Sequence, residues 1–206
     1  AQPPIVPKFV GTKNSTVPVE TLRPYIDWTP FFSTWQLAGK YPDILTDAVV
    51  GTQAIQLFAD AQEMLDQIIA ENWLTTKAVV GIFKANNIGN DTVAVQINDT
   101  ETTHFHFLRQ QNTKAQNLPN RSLADFIAPQ EAGLQDYIGA FAVTAGIGIE
   151  PHVERFQEQH DDYKAILLKA LADRLAEALA EYMHQVVRQV LWAYETDTFT
   201  NQQRID

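Results

Sequence analysis

Carboxylates placed where they could hold a cation occur twice in this chain. Asp27 stands at the head of IDWTPFFSTWQLAGKYPDIL (26–45), where two Trp, two Phe, a Tyr and two Pro gather round one early acid. An ammonium or sulfonium beside a carboxylate and aromatic faces gains charge pairing plus a cation–π attraction of about 0.5–2 kcal/mol. Trp28, Phe31, Phe32 or Trp35 could supply such a face. The same acid could instead cap the turn before Thr29 and Pro30, and composition alone favours the cap. The second group is Asp173, Glu177 and Glu181, which share one face of a helix at steps of four. Such runs are usually solvated surface. Like charges at i and i+4 cost a few tenths of a kcal/mol, an amount that a cationic ligand group could offset.

Other chemistry is weaker on the page. His104 and His106 lie at i and i+2, so on a strand both imidazoles point to one face and can begin a metal site. A third ligand is needed, and nothing in the spacing brings His160, Asp161 or Asp162 near them. GIG at 146–148 lacks the remaining glycine spacing of a dinucleotide turn, and reads as a strand leaving a sheet. Neither a phosphate loop nor a nucleophile elbow nor a zinc-protease helix signature occurs.

Composition narrows the classes. The 206 residues are 45% hydrophobic and 19% charged, which suits a folded chain with a real core. A formal charge of −10 without any Lys/Arg cluster argues against nucleic-acid and anionic membrane partners. The longest apolar runs fall well short of the roughly 20 residues a spanning helix needs. With no cysteine, disulfides and thiolate chemistry are excluded, and a cytoplasmic setting fits.

These groups need elements to position them. Residues 1–18 hold four of the ten prolines and read as an extended arm or linker leading into a module over 19–206. Thr29 and Pro30 predict the N-cap and first turn of a helix over 30–38 that stops at Gly39. Apolar spacing predicts a helix over 51–71, with Val49, Ile55, Leu57, Phe58, Ala61, Met64, Leu65 and Ile68 on its stripe. Strand patterns follow at 78–85, 92–97 and 103–108, the first two joined by NNIGND as a hairpin. A short helix capped by Ser122 and a fourth strand at 137–144 come next. A long helix at 161–194 then carries the acidic face opposite a stripe of Tyr163, Leu167, Leu171, Leu175, Ala178 and Tyr182.

The strings IDWTPFFSTWQLAGKYPDIL, VVGIFKANNIGND, SLADFIAP, DYIGAFAVTAG and HDDYKAILLKALADRLAEALAEYMH, in this order and spacing, closely resemble the C-terminal activation domain of cobalamin-dependent methionine synthase. The resemblance runs over about residues 19–194. It implies an α+β fold, a twisted antiparallel sheet flanked by long helices. It also implies a module that binds S-adenosylmethionine and serves the reductive methylation of cob(II)alamin. The cobalamin is carried by a partner domain of methionine synthase, and flavodoxin or a similar reductase delivers the electron. By motif, Asp27 in IDWTPFF and Glu177 in ADRLAEA match acids that line the family's S-adenosylmethionine site.

The family's Arg-x-x-x-Gly-Tyr motif, expected soon after the long helix, is nowhere in this sequence. The expectation is therefore a module truncated at its C-terminal side, with an incomplete pocket; losing a charge-assisted contact costs roughly 1.5–3 kcal/mol. Three readings result: an S-adenosylmethionine-binding reactivation module with no independent turnover, a docking module for a corrinoid domain or reductase that no longer binds that ligand, and a metal-dependent hydrolase built on His104 and His106.

Overall fold

The computed structural model describes residues 3–115 and 117–195. Among these residues five α-helices accompany a five-stranded sheet. The strands are β1 (Gly11–Ser15), β2 (Thr75–Gly89), β3 (Thr92–Gln96), β4 (Thr102–His106) and β5 (Asp136–Ile147), and the helices α1 (Val19–Leu22), α2 (Trp28–Thr34), α3 (Gly51–Ala70), α4 (Glu150–Glu158) and α5 (Asp162–Val186). The sheet order is β1-β2-β3-β4, with β5 also pairing β2. The pairs β2–β3 and β3–β4 are antiparallel. No helix among the described residues is long and apolar enough to cross a membrane. The described residues divide into two units: 3–13, 80–141 and 185–195 belong to one, and Asn14–Val79 with Ala142–His184 to the other.

The unit built on Asn14–Val79 and Ala142–His184 holds α1 to α4 and most of α5. Helix α3 begins where Asp47 accepts the backbone N–H of Val49 and Val50, which holds its carboxyl below the usual range. It ends where Asn72 turns left-handed at φ 53° and Trp73 N–H returns to the Ile68 carbonyl. Ala54, Leu57, Ala61, Met64, Leu65 and Ile68 are its buried face, whereas Val49 and Ile55 are exposed. Helix α4 ends at Glu158, and His160 just beyond it is left-handed at φ 56°. Asp161 then caps α5 by accepting the Lys164 N–H at 3.0 Å. HDD is thus a helix break and a cap. Gly148, at φ +95°, forms the turn between β5 and α4, where a Cβ would lie 2.8 Å from the Trp73 carbonyl oxygen. That assigns GIG to a strand exit.

In the other unit, Ala85, Val93, Val95 and Ala124 form a buried cluster with Phe83, Phe107, Ile127 and Ile138 packed against it. The β2–β3 connection is a two-residue turn in which Asn90 (φ 50°) and Asp91 (φ 57°) are both left-handed, the requirement of a hairpin turn that follows strand twist. Near the N-terminus, Phe9 N–H donates to the Leu191 carbonyl at 3.0 Å and Trp192 Nε1–H to the Ile5 carbonyl at 2.9 Å. The long C-terminal helix ends earlier than its apolar spacing predicts. It passes at Val187–Leu191 into a wider π turn, and Val190 faces solvent.

Arg109 ties this unit's loops together. Its guanidinium pairs with Asp91 in the hairpin turn and with Asp125 at 2.6 Å, and donates to the Asn120 carbonyl at 2.7 Å. Asp125 also closes a capping box with Ser122 at the 3₁₀ turn Leu123–Phe126. The Arg109 hydrogen bonds, helped by the Ser122 N–H, hold the Asp125 carboxyl down to about 2. A carboxyl whose folded value lies below its unfolded value contributes stability above the unfolded value, and that contribution disappears as pH falls through the folded one. Urea unfolding of wild type and Arg109→Gln should therefore differ at neutral pH and converge as pH falls from about 4 toward 2. A gap that stays constant down to pH ~2 would assign Arg109 a packing role instead.

Candidate functional site

Asp27 is the N-cap of α2. Its Oδ1 accepts the Thr29 N–H at 2.9 Å, so the helix starts at Trp28 and not at Pro30. The helix also ends earlier than Gly39, at Thr34. The side chain is half-buried, and Oδ2 has no hydrogen-bond partner among the described residues. Capping and ligand binding are therefore compatible in one carboxylate, since each oxygen can do a different job.

The aromatic neighbours divide. Trp28, Phe31 and Phe32 are buried, and Trp28 meets Phe31 edge-on at 5.3 Å and Phe58 at 4.9 Å. They are core, because a seven-residue helix presenting three large rings must bury them to hold its place. Trp35 is partly exposed and packs on Tyr163 of α5 at 5.2 Å. Of the four rings considered from sequence, Trp35 alone retains exposed surface beyond the core.

Glu177 lies on the exposed side of α5. Arg174 grips it with two bonds, Nη1 to Oε2 at 2.6 Å and Nη2 to Oε1 at 2.8 Å, and also reaches Asp173 at 2.6 Å. The acidic face thus has its own cation, which reading the acids alone had missed. The i, i+3 spacing of Arg174 and Glu177 was the available signal.

The segments on either side of α2 pack against α5. Tyr25, two residues before Asp27, meets Tyr182 of α5 edge-on at 5.5 Å. Glu177 lies five residues before Tyr182, about 7.5 Å back along the helix axis and about 140° round it, so this contact does not by itself bring the two acids together. At the C-cap of α2, Trp35 packs on Tyr163 near the start of α5. Tyr163 in turn donates its hydroxyl to Asp60 of α3 at 2.6 Å, and burial, helped by this bond, pushes its pKa up.

A cleft of about 600 Å³ opens elsewhere in this unit, lined by Asn14, Ser15, Lys77, Val79, Ala142 and Thr144. Neither acid lines it. His104 and His106 are exposed on β4, and His106 Nδ1 lies 3.0 Å from the Thr92 hydroxyl, its opposite residue in the ladder. Among the described residues no group of three or more His, Cys, Asp or Glu is placed to hold a metal ion.

Comparison with known proteins completes the picture. Residues 18–206 match the family described as vitamin B12 dependent methionine synthase, activation domain. Among solved structures, the chain is similar to the MetH reactivation domain bound to AdoHcy, with 49% identity and a TM-score of 0.93 over 99% of this chain. The match covers 63% of that chain's length. With its mixed helices and antiparallel sheet, the protein belongs to the activation-domain family of vitamin B12-dependent methionine synthase.

Proposed function

We propose that this chain is the S-adenosylmethionine-binding part of a methionine synthase reactivation module, supporting reductive methylation of cob(II)alamin. The observation that carries the reading is the 0.93 TM-score over 99% of the chain to a reactivation domain holding AdoHcy, the product S-adenosylmethionine becomes on losing its methyl group. Asp27 and Glu177 are the binding residues. The open Oδ2 of Asp27 and the outward lone pairs of Glu177 suit a ligand that offers an ammonium, a sulfonium and two ribose hydroxyls.

When bound, the ligand supplies a methyl group on a sulfonium, while the cobalt sits in a cobalamin-binding partner domain and the electron comes from flavodoxin or a similar reductase. No turnover is expected of this chain alone. Residues 19–206 are the module and 1–18 the arm leading into it, a division supported by the family match beginning at residue 18. A cytoplasmic setting accords with the same reading.

A second reading, in which both acids serve the protein itself (Asp27 capping α2, Glu177 paired with Arg174), is a docking module for a corrinoid domain or reductase without ligand binding. Calorimetric titration of S-adenosylmethionine into the 206-residue chain separates them. Saturable uptake is the expected result. Absence of heat at millimolar ligand leaves the docking reading.

A further inference from the structure

We propose that Arg174 is the positioning residue for Glu177, a buried anchor that holds this exposed carboxylate in one orientation toward ligand; the inference rests on the S-adenosylmethionine reading above. Arg174 is unusual on its helix. Its side chain is only 9% exposed, in the buried company of Leu171, Leu175 and Ala178, whereas the Glu177 and Asp173 side chains are 58% and 70% exposed. A guanidinium so placed must be paired to be tolerated. Here the cation is sheltered and the acids stand in water.

The geometry singles out one acid of three. Glu177 is held by two parallel bonds, Asp173 by one, and Glu181 has no ion pair among the described residues. An exposed Glu normally explores many rotamers, and a two-point fork on a rigid base removes that freedom before ligand arrives. A carboxylate has about four lone-pair sites, of which the fork uses two; the remaining two accept N–H or O–H groups from a ligand. Lysine at this position would keep the charge and lose the fork. Charge and orientation can therefore be separated experimentally.

The test is calorimetric titration of S-adenosylmethionine into wild type, Arg174→Lys, Arg174→Gln, Glu177→Gln and the Arg174→Gln/Glu177→Gln double variant, each with its urea midpoint. Both Arg174 variants and Glu177→Gln should bind about tenfold more weakly than wild type, the scale of one charge-assisted contact. The double variant should bind within about twofold of Glu177→Gln, because Arg174 acts only through that carboxylate. Wild-type affinity in Arg174→Lys would overturn the proposal, as would losses that multiply in the double variant. If Arg174→Gln does not fold, Arg174→Lys still decides between charge and orientation. A wild-type chain that takes up no S-adenosylmethionine overturns the binding reading and this proposal with it. Wild-type uptake with unchanged Arg174→Lys removes Arg174 alone.

Discussion

Phe31→Ala is expected to destabilise the fold by about 3–5 kcal/mol, read as a fall in the urea midpoint at unchanged slope. Phe31 is fully buried, and its ring meets Trp28 at 5.3 Å and Phe32 at 5.6 Å, both edge-on. Each such pair adds about 0.5–1.5 kcal/mol beyond the area it buries. Truncation leaves a hole against other rings, which are too rigid to collapse into it. Helix α2 has seven residues, too few to persist without tertiary contacts, so these rings are what dock it. A loss below ~1 kcal/mol would show that the cluster repacks and that α2 is held by something else.

Substitution at Asp27 should separate two functions of one side chain. Asparagine caps a helix about as well as aspartate, so Asp27→Asn should keep its stability within about 0.5 kcal/mol, while Asp27→Ala should lose about 1 kcal/mol. Both remove the charge. Both should therefore weaken S-adenosylmethionine binding by about tenfold or more, a loss of about 1.5–3 kcal/mol for a charge-assisted contact. Asp27→Asn binding with wild-type affinity would leave Asp27 as a helix cap and nothing else. Measured together, chemical unfolding and titration give each role its own readout.

What could be read from the sequence depended on how local its cause was. Helix α3 falls within a residue of its expected span because six buried positions recur on one face and Asp47 and Asn72 mark the ends. The β2–β3 hairpin was legible for a similar reason, since two successive left-handed residues suit Asn and Asp. Helix α4 escaped notice. In EPHVERFQE only Val153 and Phe156 are buried, too few for a periodicity to stand out. Strand β1, GTKNS, is polar and mostly exposed, and its pairing with β2 is a long-range event that local pattern does not encode.

The candidate site was less legible still. Spacing gave the acidic face of α5 and the aromatic run around Asp27 marked that acid, but the choice of Asp27 and Glu177 as partners in one ligand site came only through the family resemblance. The contact that packs the segment before Asp27 on α5, Tyr25 with Tyr182, joins residues far apart in sequence. Of the four rings that sequence offered as a face for a cation, Trp28, Phe31 and Phe32 serve the core and Trp35 keeps exposed surface, a distinction that needs tertiary packing to make.

Strand β2 changes its buried side partway along. Thr76, Ala78, Val80 and Ile82 are buried at even positions; from Phe83 and Ala85 onward the odd positions pack into a cluster. Gly81 makes the change possible, because a Cβ there would lie 2.5 Å from the Phe83 ring. A strand with one wet side can trade partners by slipping a residue and exposing one apolar set. Slippage here would expose Ile82 and Ala85 together, two sets on opposite faces, and β2 has three neighbouring strands that would all be mispaired at once. The switch therefore acts as proofreading of strand alignment: the apolar run AVVGIFKA, which looks sticky in isolation, has only one alignment that satisfies both faces.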